Sequence, residues 1–110
     1  MSYPVYKVLD IKKLPGCEDK KLSPTHEFLM KQAQEVALLH PVKEGCSMVM
    51  SEVLTLQQQE RVWFPVLGRM VKTTPVQKFE VKDSIMTVDT EKTRYTLKEE
   101  RINGHAVEQK

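Results

Sequence analysis

The fold is decided by residues 78–98, which have the sequence KFEVKDSIMTVDTEKTRYTLK. If Asp83-Ser84 and Glu91-Lys92 are hairpin turns, they divide this stretch into three segments in which apolar and polar residues alternate. Such alternation is typical of a β-strand with one buried face, because successive side chains point to opposite sides of the strand. The stretch therefore predicts a three-stranded antiparallel meander.

Two independent patterns select one register for this meander. If position 81 faces 86 and then 97, and position 79 faces 88 and then 95, one face is wholly apolar or aromatic. That face carries Phe79, Val81, Met86, Val88, Tyr95 and Leu97. On the other face the same register sets Asp89 between Lys78 and Arg94, where opposite charges attract across the strands. A shift by one residue scatters both patterns.

Neither turn has the Asn-Gly or Asp-Gly expected of a two-residue turn, so four-residue loops centred on the same positions are an alternative.

Residues 24–40 are predicted to form the main helix. Ser23 is a suitable N-cap, Pro24 fits the first helical position, and Pro41 marks the end. On a helical wheel the apolar residues cover an arc of about 200°, wider than the roughly 100° of a helix that lies on a single surface. Either this helix is deeply seated against a curved sheet, or part of the arc binds a partner or a second copy of the chain.

The other segments are predicted to be strands and loops. Residues 3–11 are rich in β-forming residues, and residues 46–56 alternate, so each predicts a strand. A turn at 57–59 is expected next, with a short helix capped by Thr55 as the alternative. Residues 62–67 form the most apolar run and predict a short, kinked core segment that contributes Trp63, Phe64 and Leu67. Residues 69–74 predict a further strand.

These elements predict an α+β fold, in which one main helix at about residues 24–40 packs on a mostly antiparallel sheet that ends in the meander. Residues 1–98 are expected to form a single domain. Residues 99–110 are expected to form a mobile C-terminal tail, because the alternating pattern fades after Glu99 and the end of the chain is polar.

Charge and hydropathy limit what can be expected of the partners and the location of the protein. Lys and Arg number 17 against 15 Asp and Glu, so a net charge of +2 does not by itself imply a nucleic-acid or membrane partner. The chain begins without a signal peptide and has no apolar stretch near the roughly 20 residues that cross a bilayer. A cytoplasmic location is therefore expected, with no membrane partner. Cys17 and Cys46 are expected to be free thiols in that reducing compartment.

Four residue types that bind metals occur in order, at Cys17, His26, His40 and Cys46. They lack the closely spaced ligand pairs of a structural zinc site. On one continuous helix His26 and His40 lie about 21 Å apart, so one ion does not reach both. No recognised signature surrounds either cysteine, and the four glycines are too scattered for a phosphate-binding loop. The sequence therefore predicts no catalytic residue, no metal and no cofactor.

The leading hypothesis is a small non-enzymatic interaction or regulatory module that binds another protein or associates with itself. Its candidate contacts are Phe28 and Leu39 in the helical arc and Leu38, the one large apolar residue on the polar side of that helix. The alternative is a nucleic-acid-binding module that uses the basic polar face of the meander, with Lys78, Lys82, Arg94 and Lys98 as the contacts. Against this alternative, the register turns Phe79 and Tyr95 to the other face, where they are not available to stack on bases.

Overall fold

The structure is a computed structural model that describes residues 3–16 and 24–100. These residues form seven strands and one short helical segment. The strands are β1 (Val5–Lys13), β2 (Glu35–Leu38), β3 (Ser47–Gln59), β4 (Val62–Pro75), β5 (Lys78–Lys82), β6 (Ile85–Asp89) and β7 (Thr93–Glu99). The helix α1 (Pro24–Phe28) continues into one π-helical turn (Leu29–Ala33). The seven strands make one antiparallel sheet in the order β4-β3-β2-β1-β7-β6-β5.

The prediction of an α+β fold with a main helix over residues 24–40 is wrong. The helical segment ends at Ala33, and Gln34 has a left-handed backbone conformation with φ of 59°. The next residues form β2, which pairs with β1 on one side and β3 on the other. Val36, Ala37 and Leu38 are all buried, as in a strand that is covered on both faces. A short uninterrupted apolar run suits a buried strand as well as a helix, and here pairing with two neighbours decides between them.

The predicted register of the meander is confirmed. Phe79 pairs with Val88 and Val88 with Tyr95, while Asp89 lies between Lys78 and Arg94. Asp83 and Ser84 have φ values of 53° and 66°, so the first turn is a tight two-residue turn with both residues left-handed. The inner face buries Met86, Val88, Tyr95 and Leu97, whereas Phe79 and Val81 are exposed because β5 is an edge strand.

The sheet curls until its two edges meet at one point. The edge strands β4 and β5 are joined only by Val76 and Gln77, so the chain spans at most about 11 Å from Pro75 to Lys78. The Val76 N–H donates to the Cys46 carbonyl at 2.9 Å, and the Gln77 N–H donates to the Asp89 carbonyl at 2.7 Å. This connection therefore ties the β3 side of the sheet to the β6 side. The curl encloses the core and gives the sheet a concave inner face.

The core fills this concave face under the helical segment. Leu29, in the π-helical turn, is fully buried against Val36, Leu38, Met48, Met50, Val71, Val76, Met86, Val88, Tyr95 and Leu97. The prediction that residues 62–67 form a short core segment is wrong. They belong to β4, a strand of 14 residues that runs through Pro65 and Gly68. The pairing of β4 with β3 shows register irregularities along this length.

The strand predicted at residues 3–11 is confirmed as β1, and the strand at 46–56 as the first part of β3. The hairpin turn lies at Glu60 and Arg61, beyond the predicted turn at 57–59, and the short helix capped by Thr55 does not form. β7 runs to Glu99, and the Glu100 N–H donates to the Val5 carbonyl at 2.9 Å. Residues 101–110 lie outside the described residues, so the single-domain boundary and the mobile tail stay predictions.

Candidate functional site

The three residues proposed to bind a partner do not form one surface, since Phe28 lies in α1 while Leu38 and Leu39 lie at the end of β2 and just after it. Leu38 is buried in β2, and Phe28 packs at the edge of the core with the Arg69 guanidinium 4.4 Å from its ring centroid. Leu39 is half-buried and lines an apolar cleft of about 490 Å³. That cleft opens between the start of β1, the segment after β2 and the exposed side of Phe79. The long helix on which their selection depended does not form.

Several exposed apolar residues lie on a two-stranded arm, residues 53–67, formed by the end of β3 and the start of β4. Every residue from 57 to 63 is exposed, which places this part of the hairpin outside the core. The exposed fraction is 59% for Leu54, 48% for Val62 and 38% for Trp63. Glu60 and Arg61 form the tip and have φ values of 53° and 72°. Each face of the arm carries an exposed apolar side chain, because Trp63 and Val62 point to opposite sides of the strand.

The arm also lacks a charged face. Apolar residues fill positions 62–64 on β4, and their partners in the register are Gln57, Gln58 and Gln59 on β3. Glu60 and Arg61 at the tip are the two ionised residues of the arm, and their charges are opposite. An isolated two-stranded hairpin is marginally stable in water unless something covers its apolar face. The outer part of the arm is therefore an apolar surface that the described residues leave uncovered.

The basic face of the meander is partly neutralised. Asp89 accepts two hydrogen bonds from Arg94, at 2.7 Å from Nε and 3.0 Å from Nη2, and its carboxylate lies 3.8 Å from Lys78 Nζ. The hydrogen bond from Arg94 and the positive charges of Arg94 and Lys78 lower the pKa of Asp89, although burial opposes this shift. Two of the four candidate nucleic-acid contacts are therefore engaged with one carboxylate. Lys82 and Lys98 flank Ile85 farther along the same face.

A polar cavity of about 380 Å³ lies where α1 meets the ends of β1 and β4 and the β6–β7 turn. It is lined by Lys13, His26, Tyr95, residues 70–74 and residues 90–93. At its inner end the Tyr95 hydroxyl and His26 Nε2 are 2.6 Å apart and share a hydrogen bond. Lys13 Nζ donates to the Thr93 hydroxyl at 3.4 Å. The cavity thus collects side chains from four separate elements.

Burial controls the ionisation of the residues in the polar cavity. It raises the pKa of Tyr95 to about 12, so the hydroxyl keeps its proton at neutral pH. Burial and, to a lesser extent, the positive charge of Lys13 lower the pKa of His26, so the imidazole is neutral at pH 7. The hydrogen bond between His26 and Tyr95 therefore joins two uncharged side chains, and the lysines carry the positive charge of the cavity.

Sequence reasoning missed this pair because each residue had a simpler interpretation. Tyr95 fitted the apolar meander face, and His26 was placed in the first turn of a long helix. The available signal is that a buried tyrosine hydroxyl usually has a hydrogen-bond partner. The partner is separated by 69 residues in the chain, so only the three-dimensional fold identifies it.

A second group of ionisable residues lies where β7 ends beside β1 and β2. Glu100 shares a hydrogen bond with Glu35, and one buried carboxylate oxygen of Glu100, Oε1, has no hydrogen-bond partner. The hydrogen bond with Glu35, burial and the negative charge of Glu35 raise the pKa of Glu100 to about 7, against the opposing charges of Lys7 and Lys98. Glu100 therefore keeps its proton to a higher pH than an ordinary glutamate does.

Within residues 3–16 and 24–100, no three His, Cys, Asp or Glu side chains come together in a way that can hold a metal ion. The helix-length argument used against the set of four ligands was wrong, since His26 lies in α1 and His40 follows β2. Cys46 is a free, exposed thiol, while Cys17 lies outside the described residues.

Comparison of this chain with protein-family models, with curated proteins and with solved structures finds no significant match. In the part of the chain that the structure describes, no helix has the length and apolar character needed to cross a membrane. Function must therefore be inferred from the surfaces themselves.

Proposed function

We propose that this protein is a non-enzymatic structural module that associates with a second copy of itself through the arm. The observation that supports this proposal is the exposure of Leu54, Val62 and Trp63 on a hairpin that extends beyond the core. Burial of apolar surface is the main driving force for association between proteins. A cytoplasmic location belongs to the same proposal, and the free thiol of Cys46 suits a reducing compartment.

A second copy is favoured as the occupant because the arm has no charge pattern that selects a different protein. Residues 53–67 carry one positive and one negative charge, both at the tip. Two arms can therefore approach each other without repulsion between like charges. Glutamine side chains on β3 can both donate and accept hydrogen bonds, so they are complementary to a second set of glutamines. The arm is thus chemically compatible with itself.

The size of the arm predicts a weak dimer. A stable interface of standard size involves roughly 20–30 residues on each side, and the 15 residues of the arm fall below that number. Pro65 and the irregular pairing of β3 with β4 also make the outer edge of β4 poorly suited to continuous pairing with another strand. Association is therefore expected through the faces of the arm and at high protein concentration.

Sedimentation velocity over a concentration series tests this proposal. The wild type is expected to shift from monomer to dimer as concentration rises, and Val62→Ser or Trp63→Ser to remain monomeric over the same range. Val81→Ser is the matched control, because Val81 is 62% exposed on β5 and Val62 is 48% exposed on β4. A wild type that stays monomeric throughout would contradict the proposal. Equal loss of dimer in Val81→Ser would place the interface at β5 instead.

Nucleic-acid binding through Lys78, Lys82, Arg94 and Lys98 stays a prediction with less support. Lys78 and Arg94 face the carboxylate of Asp89, which weakens the positive field that phosphates would meet. An electrophoretic mobility shift with short RNA and DNA at low salt is the direct test. Retardation that is lost in Lys82→Ala or Lys98→Ala would favour this alternative over self-association.

A further inference from the structure

We propose that the polar cavity binds a small anion of the phosphate class, either free or as the terminal group of a phosphorylated small molecule. This inference is independent of the arm and of self-association. It is based on three features of the cavity: the charges at its opening, the hydrogen-bond donors in its wall, and its size.

Charge at the opening is predominantly positive. Lys13 at the end of β1, Lys72 in β4 and Lys92 in the β6–β7 turn converge on the cavity from three elements. Among the described residues that line it, Glu91 supplies the one carboxylate. A cleft that is lined mainly by charges of one sign concentrates ions of the opposite sign. The ligand is therefore an anion.

The wall offers hydroxyl donors behind these charges. Thr74 accepts a hydrogen bond from the Glu91 N–H at 3.3 Å, and Thr93 accepts one from Lys13 Nζ at 3.4 Å. A threonine hydroxyl that accepts a hydrogen bond still has its own proton to donate. Hydroxyl and ammonium donors together suit an anion with several oxygens, because each oxygen can accept more than one hydrogen bond.

The volume limits the ligand to a small molecule. At about 380 Å³ the cavity lies near the lower end of the range for small-molecule sites, roughly 300–1,000 Å³. Such a space holds a phosphate group with a few attached atoms, and a folded polymer is too large for it. The hydrogen bond between His26 and Tyr95 fixes the inner end of this space.

His26 provides a local probe of occupancy. Its imidazole contacts the Tyr95 hydroxyl and shares the cavity lining with Lys13, Lys72, Glu91 and Lys92, and its pKa is lowered by burial and by the charge of Lys13. A bound anion offsets the positive charge of Lys13 and stabilises the imidazolium form. The pKa of His26, followed by NMR, is therefore expected to rise toward its ordinary value when the anion is bound.

Calorimetry and NMR titration of the full chain at low salt test the site, with inorganic phosphate as the first probe and glycerol phosphate as the second. Saturable binding is expected with at least one of the two, together with shifts of the backbone amides of Thr74 and residues 90–93. Tighter binding of glycerol phosphate would identify a phosphorylated small molecule as the ligand class. Tighter binding of inorganic phosphate would identify the free ion.

Lys13→Gln is the informative variant, because Lys13 is the least exposed of the three lysines. It is expected to weaken binding about tenfold, as for loss of one charge-assisted hydrogen bond. Lys82→Gln makes the same change of charge on β5, away from the cavity, and is expected to leave binding unchanged. No binding of either probe at millimolar concentration would overturn the proposal. Equal weakening in both variants would also overturn it, since that result would indicate general attraction to a positive protein.

Discussion

The meander and the arm are both antiparallel hairpin structures, but the meander packs on the core and the outer part of the arm lies outside it. The meander strands β6 and β7 bury Met86, Val88, Tyr95 and Leu97 on one face, and apolar and polar residues alternate along each strand. Along the arm, positions 62–67 are apolar on both faces of β4, and no residue from 57 to 63 is buried. Strands β6 and β7 are thus covered by the rest of the chain, whereas the outer part of the arm is not.

This difference implies that the two regions contribute to different properties. Burial of apolar surface in the meander stabilises the folded monomer, at roughly 25 cal/mol per Å² removed from water. The exposed apolar surface of the arm contributes little to that stability. Substitutions in the meander should therefore change the free energy of unfolding, while substitutions in the arm should mainly change association.

The largest expected effect is that of Leu97→Ala in β7. Leu97 is fully buried, and a leucine-to-alanine change in a core lowers the free energy of unfolding by about 3 kcal/mol. Leu54→Ala makes the same change in the exposed arm and is expected to lower it by at most about 0.5 kcal/mol. Urea unfolding of dilute protein measures both values. Similar losses in the two variants would refute the distinction between meander and arm.

A smaller effect is expected at the outer face of the meander. Asp89→Asn removes the charge that Arg94 and Lys78 face and should lower the free energy of unfolding by about 1.5 kcal/mol at neutral pH. Because the pKa of Asp89 is lowered in the folded state, this stabilisation is present above the ordinary value of 3.8 and is lost as pH falls through the lower folded-state pKa.

The matched control for Asp89 is Glu80→Gln, which removes a carboxylate from the exposed strand β5 on the same face. It is expected to leave the acid transition unchanged. If Asp89→Asn unfolds at the same acid pH as the wild type, the ion pair with Arg94 does not stabilise the folded protein.

A third effect on the free energy of unfolding, of about 1 kcal/mol, is expected at Glu100. It depends on pH in the opposite direction to the effect of Asp89. The folded state holds a proton on Glu100 up to about pH 7, whereas an ordinary glutamate releases it near 4.5, so the free energy of unfolding falls as pH rises between these values. Glu100→Gln is expected to be more stable than the wild type above pH 7, by an amount reduced by partial exposure to solvent. Glu60→Gln at the tip of the arm should leave the free energy of unfolding unchanged. If it raised this free energy as much as Glu100→Gln does, the raised pKa of Glu100 would not be the cause of the gain.

The smallest expected change in the free energy of unfolding distinguishes the turn at Asp83 and Ser84 from the turn at Glu60 and Arg61. Ser84 and Arg61 both occupy the second position of a turn, with φ values of 66° and 72°, where glycine is preferred. Ser84→Gly should raise the free energy of unfolding by about 0.5 kcal/mol, because it relieves a left-handed conformation within the cooperative fold. Arg61→Gly should leave that value unchanged in dilute protein. Thermal melts of the two variants make the comparison, and an equal gain would show that the arm unfolds together with the meander.

The meander was predictable because its register is a local property of three adjacent segments. Alternation between Phe79 and Val81, and the position of Asp89 between two cations, constrain the pairing before any long-range contact is known. The exposure of Phe79 was not predictable, because it depends on β5 being an edge strand of the complete sheet.

The prediction of a main helix was wrong because the apolar pattern of residues 24–40 has two interpretations. A wheel with an apolar arc of about 200° describes a weakly amphipathic helix, and the run from Val36 to Leu38 equally describes a strand that is buried on both faces. Contacts with β1 and β3 decide between them, and these partners are distant in sequence. The polar cavity was unpredictable for a related reason, since it depends on the curl that Val76 and Gln77 impose.

Hydrogen–deuterium exchange at low and high protein concentration reports on the meander and the arm in one experiment. Amides of β6 and β7 are expected to be protected at both concentrations. Amides of residues 57–63 are expected to exchange rapidly in dilute protein and to become protected at high concentration. Protection of the arm equal to that of the meander in dilute protein would contradict the account, as would rapid exchange of the arm at every concentration.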